Sequence, residues 1–185
     1  KLSTELEEYV KRFPNSDRFV VACKIGLEKD FDKLLPEYTS NGKFNATLLL
    51  GKGFEATPLF AAVDGNQESI VSKLLKVEGI NPNKCVNMST VENDQGTQIT
   101  PLHLASLCSN CKIVKLLLEH PDINVDVKDK DGYTPLNYVD LGVLMQKEFN
   151  VKVEEEDSKR CKDLFEEKKI QDFIISTINV NISHI

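Results

Sequence analysis

An all-α solenoid of stacked helix pairs is the fold class this sequence predicts, and three observations predict it. The tripeptide Thr-Pro-Leu occurs at 57–59, 100–102 and 134–136. Behind the first two copies the same apolar pairs return at the same distances: Ile70-Val71 and Ile113-Val114 thirteen and fourteen residues after the Thr, Leu74-Leu75 and Leu117-Leu118 seventeen and eighteen after it. The stretches between copies differ in length while the offsets inside them do not. Such a pattern marks an array whose repeating unit is one helix-turn-helix that cannot bury its apolar side alone.

Residues 1–16 open the chain with an amphipathic segment, in which Leu6, Tyr9, Val10 and Phe13 form one stripe and Thr4 and Glu7 have the spacing of a capping box. A capping helix is expected there. Residues 17–53 hold a weaker copy of the unit. With Asp17 in the place of the Thr, Phe19, Ala22, Gly26, Phe31, Leu34 and Leu35 fall on the expected apolar and turn positions, and Asp caps a helix as well as Thr does. Its connection, "EYTSNGKFNATLLLGKGFEA" (37–56), reads as a lengthened loop. The units at 54–96 and 97–130 begin with Thr57 and Thr100 as N-caps, followed by Pro58 and Pro101 at a position where a missing N–H is harmless. Asp64-Gly65-Asn66 and Ser109-Asn110 read as the turns between helices, and Pro121 stops the helix before it. Thr57 and Thr100 are 43 residues apart, whereas Thr100 and Thr134 are 34 apart, so the surplus falls in a projecting loop at 83–98. Residues 131–142 begin a partial unit at Thr134. From 143 to 185 the pattern decays, but Cys161, Leu164, Phe165, Ile170, Phe173 and Ile174 keep helical spacing, so a C-terminal helical cap or divergent last repeat is expected.

"TPLHLASLCSNCKIVKLLLEHPDINVDVKD" (100–129) and "DKDGYTPL" (129–136) resemble the ankyrin repeat nearly position for position, and the resemblance extends over roughly 17–142. It implies an ankyrin-repeat solenoid of about four units with long finger loops and helical caps. It also implies structural roles for Thr57, Thr100, Thr134 and His103, whose imidazole would tie one repeat's loop to the next. In that family the first helices line a concave side and the loop tips extend it. The expected exposed positions are then those just before each Thr (Ala56, Ile99, Tyr133), three before it (Phe54, Thr97, Asp131), and seven and eight after it (Lys24 and Ile25, Asp64 and Gly65, Leu107 and Cys108). Phe54, Ile99, Leu107, Lys130, Asp131 and Tyr133 are expected to bind a protein partner, with Met88 from the enlarged loop, where Cys85, Val86 and Val91 are also apolar. The alternative is that the enlarged loops fold back and bury these side chains. Deleting 85–93 is expected to leave the array folded and to weaken binding.

The formal net charge of −6 argues against nucleic acid and against an anionic membrane surface, and no apolar run approaches the ~20 residues of a membrane span. No metal and no cofactor are expected. Cys108 and Cys111 could be half a zinc site, but structural zinc takes four ligands and only His120 follows. "LLLGKGFEAT", with Gly51 and Gly53, lacks the spacing of a phosphate loop, and Glu154-Glu155-Glu156 reads as a solvated face. A thiol nucleophile at Cys23 or Cys161 would need an imidazole brought to it by the fold. Five cysteines are an odd number at scattered positions, which suits a reducing, cytoplasmic location better than a disulfide framework.

The expected function is therefore a non-enzymatic, monomeric protein-interaction module or scaffold. The other reading is a targeting domain of a larger protein whose catalytic part lies in or beyond the C-terminal region. Ankyrin arrays also occur in effectors of intracellular bacteria, and the Lys-, Asn- and Ile-rich texture is compatible with one, with host cytosol as its location in that case.

Overall fold

The computed structural model describes residues 1–50, 54–88, 98–148 and 155–182. Among these, α1 (Thr4–Arg12) is followed by four helix pairs: α2 (Arg18–Ile25) with α3 (Glu28–Ser40), α4 (Pro58–Asp64) with α5 (Glu68–Leu74), α6 (Pro101–Leu107) with α7 (Cys111–Leu118), and α8 (Pro135–Glu148) with α9 (Glu155–Ile182). Two short antiparallel hairpins precede α4 and α6. They are β1 (Leu48–Leu49) with β2 (Glu55–Ala56), and β3 (Val86–Asn87) with β4 (Gln98–Ile99). The fold is an all-α solenoid of helix pairs.

The first three pairs start at a side chain that satisfies early amides. Asp17 Oδ1 accepts from the N–H of Phe19 (2.9 Å) and of Val20 (3.2 Å), Thr57 Oγ1 from that of Phe60 (3.1 Å), and Thr100 Oγ1 from that of His103 (3.4 Å). At Thr134 the roles reverse, because its N–H and hydroxyl both donate to Asn137 Oδ1 at 2.9 Å. Nine residues after the cap the first helices of units one to three meet a left-handed residue: Gly26 (φ 79°), Asn66 (φ 57°) and Ser109 (φ 50°). That conformation ends the helix and turns the chain toward its partner. In the fourth unit the ninth residue is Val143, whose branched Cβ resists positive φ, and α8 runs on to Glu148. The boundary expected at 142 thus falls inside a helix.

Burial follows from position in the stack. Helix α2 packs on α4, α4 on α6 and α6 on α8, so runs such as Phe19–Cys23, Pro58–Val63 and Pro101–Ser106 are buried on all sides. The second helices bury one stripe each: Ile70, Val71 and Leu74 in α5, Ile113, Val114, Leu117 and Leu118 in α7, and Cys161 and Phe165 in α9. Two glycines set the spacing between units. A Cβ on Gly65 would stand 1.8 Å from the Lys24 carbonyl oxygen, and one on Gly142 would stand 2.0 Å from that of Leu107. Neither has a positive φ, so close approach and not backbone freedom requires glycine there.

The ends depart from expectation in three ways. The cap of α1 is Ser3, one residue before the expected Thr4. Its hydroxyl accepts from Leu6 N–H at 3.3 Å, while the buried Asp30 carboxylate of α3 accepts the Ser3 N–H at 3.0 Å. That tertiary bond selects the start. Residues 37–40, expected in a loop, are the last turn of α3, where Tyr38 stacks on Phe19 (centroids 4.5 Å apart) and donates its hydroxyl to Asp17 at 2.8 Å. Among the described side chains of α9, the buried apolar ones, Cys161 and Phe165, lie in its first half. The helix spans 28 residues against eight in α7, so it outruns its support, and Phe173, Ile170, Ile175 and Ile174 are 50–71% exposed.

Candidate functional site

The loop before α8 is built around the Asp129 carboxylate. One oxygen accepts from the N–H groups of Asp131 (2.9 Å) and Tyr133 (2.8 Å), and the other accepts the Tyr138 hydroxyl at 2.7 Å. The Asp129 N–H donates across the turn to the Tyr133 carbonyl at 3.0 Å, with Gly132 at φ 86° closing the bend. Burial alone would raise the Asp129 pKa, but the bonds from Tyr138 and the two amides hold it below the usual carboxylate value. Burial, and after it the same carboxylate, raise that of Tyr138.

His103 ties this loop to the unit before it. The imidazole is fully buried. Its Nδ1 accepts from the Thr100 N–H at 3.2 Å, which leaves Nε2–H to donate to the Tyr133 carbonyl at 3.1 Å. Burial lowers its pKa, so the neutral ring is the form held. The Tyr138 ring meets it edge-on, with centroids 4.8 Å apart. His103 thus makes one hydrogen bond within its own unit, to Thr100, and one to the loop that opens the next, at Tyr133.

This scaffold fixes the main chain at 129–134 and leaves the side chains of Lys130, Asp131 and Tyr133 exposed. Tyr133 is 54% exposed, and Lys130 and Asp131 are exposed on the same bend. Met88, at the end of the second hairpin, is also exposed. The remaining apolar candidates sit elsewhere than expected. Ile99 is 3% exposed, because its partner across the antiparallel ladder is Val86 and both turn inward while Gln98 and Asn87 turn out. Ala56 occupies the equivalent place in the first hairpin and is fully buried. Tyr133 holds the same position before its Thr, but the bend at 129–133 hydrogen-bonds to itself, so its side chain stays outside. Phe54 is half-buried, with its ring 6.5 Å from that of Phe60. Leu107 is half-buried against the core, its carbonyl being the atom that Gly142 abuts. Deletion of 85–93 would remove the buried Val86, so it would not spare the core. Thr97, Val91, Gly51, Gly53 and Glu154 lie outside the described residues.

Two features escaped the sequence reading. Between the hairpins lies a polar cleft of about 470 Å³, lined by Thr47, Glu55, Asn83, Lys84, Cys85 and Gln98, residues that carry no motif. Cys111 does not converge with Cys108 and His120; its sulfur lies 2.8 Å from that of Cys161 on α9. Cys23 is buried in α2, where burial and then Asp17 raise its pKa, and both ring nitrogens of His103 are engaged as described. Among the described residues, no group of three or more His, Cys, Asp or Glu side chains is placed to hold a metal ion. No helix there is long and apolar enough to cross a membrane.

Comparison with known proteins places this geometry. Residues 19–129 match the family described as ankyrin repeats (3 copies). The chain is 36% identical to alpha-latrotoxin-Lg1a of Latrodectus geometricus over 112 residues, which is 60% of this chain and 7% of that protein. It is 35% identical to alpha-latrocrustotoxin-Lt1a of Latrodectus tredecimguttatus over 83 residues, 45% of this chain and 5% of the toxin. It is also 35% identical to Rabankyrin-5 of Homo sapiens over 79 residues, 43% of this chain and 6% of that protein. The chain therefore spans less than a tenth of the length of these relatives.

Proposed function

As the chain belongs to the ankyrin-repeat family, we propose that it binds a protein partner through the exposed side chains of its finger loops, centred on Tyr133. Ankyrin repeats are in general protein-interaction modules, and the family is typically non-catalytic. The observation that carries the finer reading is the contrast at one residue. The Tyr133 main chain is fastened by Asp129 and His103, while its ring is 54% exposed. An exposed aromatic on an ordered loop loses little conformational entropy on docking, and Tyr is among the residue types that dominate interface energetics. Lys130 and Asp131 supply a charged rim, and Met88 an adaptable apolar contact from the neighbouring finger. The same proposal takes the array as monomeric and located in a reducing cytoplasm.

The test is affinity capture from cytosolic extract with three baits: the unaltered chain, Tyr133→Ala/Met88→Ala, and Lys29→Ala on α3, away from the fingers. A hot-spot Tyr contributes about 2 kcal/mol, so capture by the double variant should fall about 30-fold. The Lys29 variant should retain the unaltered profile. Equal retention by all three baits would overturn the assignment of the face. Ile99 is left intact because its substitution would test folding instead.

A further inference from the structure

The packing of α7 on α9 brings two thiols from distant parts of the chain together. Cys111 is the first residue of α7 and Cys161 lies in the second turn of α9, 50 residues later, yet their Sγ atoms are 2.8 Å apart. That is about 0.8 Å more than a disulfide bond and well inside the roughly 3.5–4.0 Å at which even smaller unbonded carbon atoms settle. The surroundings hold both partners in place. The Cys111 thiol donates to the Asp157 carbonyl, one turn before Cys161, at 2.8 Å, and the hydroxyls of Ser109 and Ser158 meet at 3.1 Å. Cys161 is fully buried and Cys111 half-buried, so one thiol is open to a reagent and the other waits beneath it.

We propose that Cys111 and Cys161 form a reversible disulfide, a redox-operated staple fastening α9 to the third helix pair. The oxidant is a small-molecule disulfide such as glutathione disulfide. The Cys111 thiolate attacks one of its sulfurs, expelling one thiolate and leaving a mixed disulfide on Cys111. The Cys161 thiolate then attacks Cys111 Sγ and expels the second. Two protein thiols become one disulfide, one small disulfide becomes two thiols, and the two protons pass to the departing thiolates. Burial, and then the neighbouring Cys111 thiol, raise the Cys161 pKa, which keeps Cys161 protonated before the mixed disulfide forms and assigns it the resolving role.

The staple matters because few apolar side chains of α9 are buried. Its described buried apolar anchors are Cys161 and Phe165, with Leu164 partly buried beside them, while Ile170, Phe173, Ile174 and Ile175 are 50–71% exposed. An element with so little apolar burial opens locally at low free energy, and a covalent link to α7 removes that opening. In a glutathione-buffered reducing compartment the pair is a dithiol and α9 is free to open. Accumulation of oxidised small disulfide closes it.

The test equilibrates the purified full chain in buffers of graded glutathione disulfide to glutathione ratio, followed by acid quench, alkylation and mass spectrometry. The expected product has lost two hydrogens and yields a peptide pair linked through Cys111 and Cys161, with Cys23, Cys85 and Cys108 alkylated. Tryptic cleavage after Lys159, Arg160 and Lys168 should slow at least tenfold in the oxidised form. Cys111→Ser, at the half-buried position, should abolish both the link and the protection, and Cys108→Ser neither. A pair that stays fully alkylatable at the most oxidising ratio, a link that forms equally through Cys108, or a formed link without slower cleavage would each overturn the proposal.

Discussion

Substituting Gly142 by Ala sets two effects of opposite sign against each other. Gly142 lies within α8, and an Ala in a helix interior is worth about 1 kcal/mol over Gly when nothing else changes. The added Cβ, however, would stand 2.0 Å from the Leu107 carbonyl oxygen, 2.9 Å from its carbon and 3.3 Å from its Cα. Ordinary carbon–oxygen contacts sit near 3.3 Å, so α6 and α8 must separate by more than about 1 Å. The obstructing atoms are backbone and cannot rotate aside. The separation is also resisted by His103 of α6, which is bonded to the Tyr133 carbonyl just before α8 and meets the Tyr138 ring of α8 edge-on. Overpacking of this kind costs about 3 kcal/mol at the upper end of its range, which outweighs the helix term and leaves a net loss of about 2 kcal/mol. For a domain of this size that lowers Tm by roughly 4–8 °C. Thermal melts by circular dichroism at pH 7.5 under reducing conditions read it directly. An unchanged or raised Tm would mean that helix propensity governs the position and that the units are not in the close contact described.

His103→Asn keeps an acceptor for the Thr100 amide, as Asn137 does at the same place in the fourth unit, but loses the bond to Tyr133; a loss of about 1–3 kcal/mol is expected in urea titration. Because burial lowers the His103 pKa below its unfolded value of about 6.5, its contribution is complete above that pH and is lost as pH falls from there through the folded value. Melts between pH 7.5 and 5 should show this decline in the unaltered chain and not in His103→Asn, and parallel curves would refute the assignment. Asp129→Ala removes the acceptor of two amides and the Tyr138 hydroxyl, so hydrogen exchange at residues 131–133 should accelerate at least tenfold. Tyr133→Ala should change stability by no more than about 0.5 kcal/mol, since its fastened atoms are main-chain ones, whereas Ile99→Asp places a charge beside Val86 in the core and should unfold the array.

What the sequence determined by itself was local. Asp17, Thr57 and Thr100 cap helices whose amides lie within three residues of them, and the apolar pairs at fixed offsets mark helix faces whatever the neighbours are. The helix pairs and their order were legible for that reason. Exposure is a property of neighbours, and it was decided only in three dimensions. Ala56, Ile99 and Tyr133 hold one position in the repeat, yet the first two face inward across hairpin ladders and the third stands outside a bend closed on itself. The length of α8, the contact of Gly142 with Leu107, and the approach of Cys111 to Cys161 across 50 residues likewise depend on elements distant in the chain. Hydrogen bonds within a turn are written in adjacent residues, whereas burial and through-space contact exist only once the stack has closed.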